Sequence, residues 1–291
     1  MTEVLIREML EVGAHFGHQT RYWNPKMRPF IYGAKNGIHI IDLQKTQPLF
    51  EEACRFVTKV VGEGGELLFV GTKKQAQSIV EEEARRCNMF FVNKRWLGGT
   101  LTNFRTIKAS LMRLKDFEKK RAEGGFEGLT KREKLEIERE IVDLQRSLGG
   151  IKEMTRLPQV IFLVDASKEL IALQEALRLQ IPVVALADTN CNPQDIDHLI
   201  PANDDALKSI RYFCHKVADA CLEGLSRRAT VMRERIQEAE GESVLKGVAG
   251  TKGHAYVSRP ESYEGEGVGQ YSSEQAFTEE EGAKKDVTHG N

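Results

Sequence analysis

Residues 65–92 read GELLFVGTKKQAQSIVEEEARRCNMFFV, and the class of the fold follows from them. Leu67-Leu68-Phe69-Val70 is an unbroken apolar run, Lys74 to Arg86 carry helical periodicity, and Met89-Phe90-Phe91-Val92 is a second run. A strand with no polar alternation is buried on both faces, and two such strands separated by an amphipathic helix make a parallel crossover. The rhythm returns at Val160-Ile161-Phe162-Leu163-Val164, a helix near Lys168 to Leu179, and Pro182 to Ala187. A polar loop, His198-Leu199-Ile200-Pro201 and a long helix from about Asp204 follow. The pattern predicts an α/β fold of three layers with a parallel sheet.

Between the two blocks the pattern changes. Over about 106–149 strand-like runs vanish and charges crowd in. One helix carries Ile107, Leu111 and Leu114 on a stripe and stops at Gly124-Gly125. A second opens on a capping box, Thr130 to Glu133, repeats Ile137, Ile141, Leu144 and Leu148, and ends at Gly149-Gly150. So thin a stripe suits a two-helix seam, which predicts a helical hairpin inserted in the α/β domain. Ahead of the sheet, residues 1–64 read as a helix near Val4 to Val12, a β-hairpin turning at Asn36-Gly37, and a helix from about Thr46 to Val61. The α/β domain then occupies 65–105 and 150–240, the hairpin 106–149, and a Glu-, Gly- and Ser-rich disordered tail 241–291.

Charge is segregated along this order. The net charge is −1, yet residues 1–150 hold 26 Lys+Arg against 20 Asp+Glu, and residues 151–291 hold 16 against 23. Residues 91–115 carry six bases and no acid, while residues 261–283 carry seven Glu and no base. Such asymmetry points to a basic binding surface and an acidic tail. The five cysteines are scattered with no C-x-x-C pair, which argues for reduced, buried thiols over a disulfide framework or a zinc ribbon. No run approaches the ~20 apolar residues of a membrane span, and the first residues lack the order of a signal peptide. Neither a membrane nor a small-molecule substrate is expected as a partner.

Two loops interleave bases with flat rings, the mixture suited to phosphate contact and base stacking. The first holds Arg21, Tyr22, Trp23, Lys26 and Arg28; the second runs from Asn93 through Lys94, Arg95 and Trp96 to Gly98-Gly99 and Asn103, with Arg105 and Lys108 just beyond. Lys73 and Lys74, where a strand hands over to a helix, are placed to meet a phosphate. The turn is not a Walker loop, because Gly64 and Gly65 lie before the strand. His18, in the stretch His15-Phe16-Gly17-His18, and Asp188, Asp204 and Asp205, which fall after strands where ligand loops of open α/β sheets gather, are candidates for a structural cation; a polar loop packed on the sheet edge is the alternative. No other cofactor is expected. No serine-hydrolase elbow, H-E-x-x-H or dinucleotide G-x-G-x-x-G after the first strand is present, so catalysis has no motif to rest on.

At these same loops the chain closely resembles the bacterial-type small-subunit ribosomal protein S-two family. The resembling stretches are Gly13 to Met27, Phe69 to Lys73, Phe91 to Asn103, Gly149 to Lys152 and Leu157 to Asp165, in order across about 4–225. The resemblance implies a flavodoxin-like sheet with an inserted coiled-coil hairpin and a cytoplasmic place in the small ribosomal subunit, at its back between head and body. It also implies small-subunit ribosomal RNA and other ribosomal proteins as partners, including the large mRNA-binding protein S-one. The tail beyond Gly241 is longer than many members carry.

Overall fold

A computed structural model describes residues 5–124 and 130–249, with side chains as far as 236. The chain opens with helix α1 (Ile6–Glu11) and strand β1 (Phe16–Gln19), followed by β2 (Ile31–Lys35) and β3 (Ile38–Ile41). These three strands form a small antiparallel sheet in the order β1-β3-β2. Asn36 and Gly37 join β2 to β3 with φ of 52° and 75°, the two positive angles of a type I′ turn that asparagine and glycine tolerate. Helix α2 (Leu43–Gly62) starts three residues before the expected Thr46, because the Asp42 side chain caps it by accepting from the Gln44 amide at 3.1 Å.

The main sheet then alternates with helices: β4 (Leu67–Val70), α3 (Gln77–Arg86), β5 (Phe90–Val92), α4 (Phe104–Ala122), α5 (Lys131–Leu148), β6 (Val160–Val164), α6 (Leu170–Arg178), β7 (Val183–Ala187) and β8 (His198–Pro201). Its five strands are all parallel in the order β5-β4-β6-β7-β8, the doubly wound order of flavodoxin-like folds. Side chains of a strand point alternately to the two faces, and here both are buried. Leu67 and Phe69 join one core with Phe50, Val57, Ile79, Phe162, Phe213 and Val217, while Leu68 and Val70 join another with Val92, Leu101, Ile161, Leu163, Leu173 and Val183. Helices α2, α3 and the last helix, α7 (Leu207–Ala249), therefore cover one face, and α6 covers the other. Each buried Phe or Leu contributes about 1.5–3 kcal/mol, so the sequence of unbroken apolar strands is stable only as the middle of three layers.

Helices α4 and α5 pack on one another, burying Leu114 and Ile141, and are bridged by Arg113–Glu140 at 2.8 Å. The expected capping box at Thr130 and Glu133 is present; residues 125–129 of the connection lie outside the described residues. The base of this insertion is built into the body. Ile107, Leu111 and Leu148 are buried in the second core with Trp96 and Leu101, so the expected boundary at residue 106 cuts through core residues. At Gly150 the chain passes against edge strand β5 so closely that a Cβ would stand 2.1 Å from the Phe91 carbonyl oxygen. Helix α7 runs past Gly241 to Ala249, and the remainder of the expected tail, 250–291, lies outside the described residues.

Candidate nucleic-acid interface

The segment joining β5 to α4 is tied down by one carboxylate. Glu175 of α6, 7% exposed, accepts at Oε1 from Trp96 Nε1 (3.0 Å) and the Gly99 amide (2.8 Å), and at Oε2 from the Leu101 amide (2.9 Å), the Thr102 amide (3.0 Å) and Thr102 Oγ1 (3.1 Å). Burial works to raise its pKa, but these bonds outweigh burial and hold the carboxyl below its ordinary value. Gly99 adopts φ of 86°, which lets the chain turn its amides inward. Asn93 fixes the start of the segment, its Nδ2 donating to the Gln77 carbonyl and to Glu81 Oε2, both at 2.9 Å.

What remains outside is basic. Lys94, Arg95, Arg105 and Lys108 are exposed, and among the described residues none has a carboxylate within ion-pair distance; Lys94 Nζ donates instead to Gln77 Oε1 at 3.0 Å. Arg105 and Lys108 stand in the first turns of α4, where the helix dipole disfavours cations and favours anions. Asn103, the residue before α4, does not cap it; its Oδ1 accepts from Thr106 Oγ1 at 2.9 Å. Uncapped amides together with unpaired bases are an arrangement that attracts phosphate.

The front loop repeats the theme. Arg21, Tyr22, Lys26 and Arg28 are exposed and without an acidic partner among the described residues, and the Arg21 guanidinium lies 4.6 Å from the centre of the Tyr22 ring. Trp23 is half-buried with its ring 5.3 Å from that of His39. The loop is held to the sheet by the Asn24 amide, which donates to the Thr189 carbonyl at 2.8 Å, and by Met27, buried in the same core as Trp96.

Two of the residues expected to contact RNA lie inside the body. Trp96 is 8% exposed with its indole N–H on Glu175, so it is a core residue and no surface for a base to stack on. Lys73 is buried too. Its Nζ lies 2.8 Å from Asp204 Oδ1, 3.2 Å from Asp165 Oδ2 and 2.6 Å from Asp205 Oδ1. Burial opposes its charge, yet these carboxylates hold it well above the usual lysine range. The Thr72 amide, which could have met a phosphate, donates to Glu169 Oε1 at 2.8 Å, and Thr72 Oγ1 donates to the same oxygen at 2.6 Å. Only Lys74 of that turn is exposed. Because β4 lies between β5 and β6, the ends of β4 and β6 flank the crevice where this sheet order ordinarily binds ligands. Here the protein's own carboxylates occupy the groups that would receive one.

Beside this network, His18 Nδ1 lies 2.8 Å from Asp188 Oδ2, and the His18 amide donates to Asp188 Oδ1 at 3.1 Å. Asp188 raises the His18 pKa to about 9; burial, with Asp165 and Asp188 nearby, pushes Asp204 up to about 7 against the pull of Lys73. His18, Asp188 and Asp204 bring one ligand atom each within 4.8 Å of one another, a donor set able to hold a cation. Asp205 stands outside that group of three, with Oδ2 3.5 Å from His18 Nε2. The Lys73 ammonium already supplies positive charge there and competes with a metal.

Sequence reading missed Glu175 and Glu169. Glu175 carried one signal, a charge among Ala172, Leu173 and Ala176 on the buried stripe of α6. Its partners lie 73 to 79 residues away and leave no local trace.

Known proteins share this sequence over most of its length. The family model described as ribosomal protein S2 matches residues 9–224. The small ribosomal subunit protein uS2 of Sorangium cellulosum is 57% identical over 223 residues, covering 77% of this chain and 80% of its own. That of Geotalea uraniireducens is 52% identical over 248 residues, 85% and 97% of the two chains, and that of Koribacter versatilis 46% over 281 residues, 97% and 90%.

Proposed function

Because this chain belongs to the ribosomal protein S2 family, and is thereby a structural constituent of the small ribosomal subunit and no enzyme, we propose that its two basic loops bind small-subunit ribosomal RNA. The observation that carries the reading is the acid-free segment 91–115: of its six bases Arg113 and Lys115 pair with Glu140 and Glu153, while Lys94, Arg95, Arg105 and Lys108 stand exposed and without carboxylate partners among the described residues. Recognition proceeds through phosphate and shape. Each base neutralises a phosphate and releases counterions, while the buried Glu175 anchor keeps the loop from adapting freely. Arg21, Lys26, Arg28 and Lys74 add contacts of the same kind, and Tyr22 and Trp23 supply the flat surfaces that Trp96 does not. No covalent step is required.

The reading extends, on the family resemblance, to a seat at the back of the subunit between head and body and to a part in docking the mRNA-binding protein S-one. Sedimentation of tagged protein from a cell extract tests the core of it. The protein should comigrate with small subunits at moderate salt, and a subunit population lacking it should retain less S-one. A protein that stays at the top of the gradient at low salt contradicts the assignment.

A further inference from the structure

We propose that Glu175 is the positioning residue of the RNA interface: its carboxylate holds the segment from Trp96 to Thr102 in the one shape that aims Lys94, Arg95 and the start of α4 at RNA. The proposal rests on the reading that this loop binds RNA. The loop's own bonds are local, the Thr100 amide to the Leu97 carbonyl at 3.0 Å and the Asn103 amide to the Gly99 carbonyl at 2.9 Å. They shape turns within the segment; Trp96 and Leu101 pack it into the second core, and the polar tie to α6 is the pair of Glu175 oxygens, which collect five donors from four residues. Among the described residues Glu175 has no cation within ion-pair distance, so its charge is balanced by the inward-turned N–H dipoles of the loop.

This arrangement is informative because it runs against simple electrostatics. A negative charge set beneath a basic, RNA-facing surface weakens the attraction of that surface for phosphate, and a nest of N–H groups could have taken a phosphate itself. The protein fills the nest with its own carboxylate and leaves the phosphate to side chains. The gain is geometry: a loop containing Gly98-Gly99 is made rigid, so its bases lose less freedom on binding.

The two effects predict opposite signs, which makes the test sharp. Glu175→Gln keeps the volume, removes the charge and turns an N–H₂ toward amides that need an acceptor. If charge alone matters, binding to the small-subunit ribosomal RNA tightens; if Glu175 positions the loop, binding weakens, on the order of tenfold, as expected for misplacing charge-assisted contacts. The full chain is titrated with that RNA in a double-mutant cycle against Lys94→Ala/Arg95→Ala, with circular dichroism confirming the fold of each variant. Positioning predicts that the Glu175→Gln loss shrinks to under about twofold once the two bases are gone, because residues acting through one another are not additive. Trp96→Phe, which removes one donor and leaves the charge, is the second variant and should show a smaller loss with the same dependence on Lys94 and Arg95. Unchanged or tighter binding by both variants, or equal losses in the two backgrounds, overturns the proposal. Wild-type binding by Lys94→Ala/Arg95→Ala itself overturns the RNA reading of the loop, and the proposal with it.

Discussion

Lys73 shows how far a residue's neighbours decide its role. In the sequence it is a lysine between a strand and a helix, the position of many phosphate-binding residues; its three carboxylate partners lie 92, 131 and 132 positions away, at the ends of other strands. No spacing rule reaches that far. The ammonium is buried, and so are Asp165 and Asp204, which would lose their buried cationic partner and have to stay unpaired or take up a proton without it. Lys73→Met should therefore destabilise the protein by roughly 3–5 kcal/mol, the cost of breaking a buried pair from one side. Under stabilising conditions the folded fraction should bind RNA with an unchanged salt dependence. Thermal unfolding and an RNA titration at several salt concentrations check the two halves; a stable variant with a shallower salt slope would restore Lys73 to the interface. Trp96 and Glu175 teach the same lesson in the opposite direction. A tryptophan among bases reads as a stacking surface until the fold brings its indole N–H 3.0 Å from the buried Glu175.

At the scale of elements most of the fold was legible. The five strands of the main sheet rest on short apolar runs, whose only stable setting is between two layers, and the turn at Asn36-Gly37 has one conformation that suits it. Boundaries were less legible because caps and tertiary contacts set them: Asp42 brings the start of α2 forward, and the first turns of α4 belong to the core. The buried base of the insertion decides what excision should do. Replacing 106–149 by a Gly-Ser linker removes Ile107, Leu111 and Leu148 from the second core, and deleting a large buried side chain costs about 2–5 kcal/mol. Replacing only 113–142 removes Leu114 and Ile141 together, the pair that α4 and α5 bury. We expect the shorter excision to keep a single cooperative melt near the wild-type temperature and the longer one to lose it. Calorimetry of the two variants decides. A longer excision that melts like wild type would make the whole insertion separable.

For the molecule as a whole, the near-neutral net charge of −1 averages over a strongly segregated distribution. Acids inside the body are largely committed: to Lys73, to the loop amides, and to ion pairs such as Arg86 with Glu83 at 2.6 Å and Asp219 at 2.7 Å. The bases of the two loops are not. Uncommitted cations on loops favour a phosphate backbone, and the sequence shows most of them as a 25-residue window, 91–115, without an acid, of which Arg113 and Lys115 are paired in the fold. The geometry of the loop, by contrast, depends on α6 and emerged only with the fold.

Whether Lys94 and Arg95 meet RNA phosphates is decided by the salt dependence of RNA binding by Lys94→Glu/Arg95→Glu. Circular dichroism and melting temperature must first match wild type, since both side chains are exposed and bind nothing the fold needs beyond the Lys94–Gln77 bond. Affinity for small-subunit ribosomal RNA, taken across a range of salt, should then fall steeply. The slope of log affinity against log salt should become shallower by about 0.7–0.9 for each phosphate that the variant no longer neutralises. A folded double variant that enters small subunits at wild-type occupancy with the wild-type slope would show that Lys94 and Arg95 do not meet RNA phosphates.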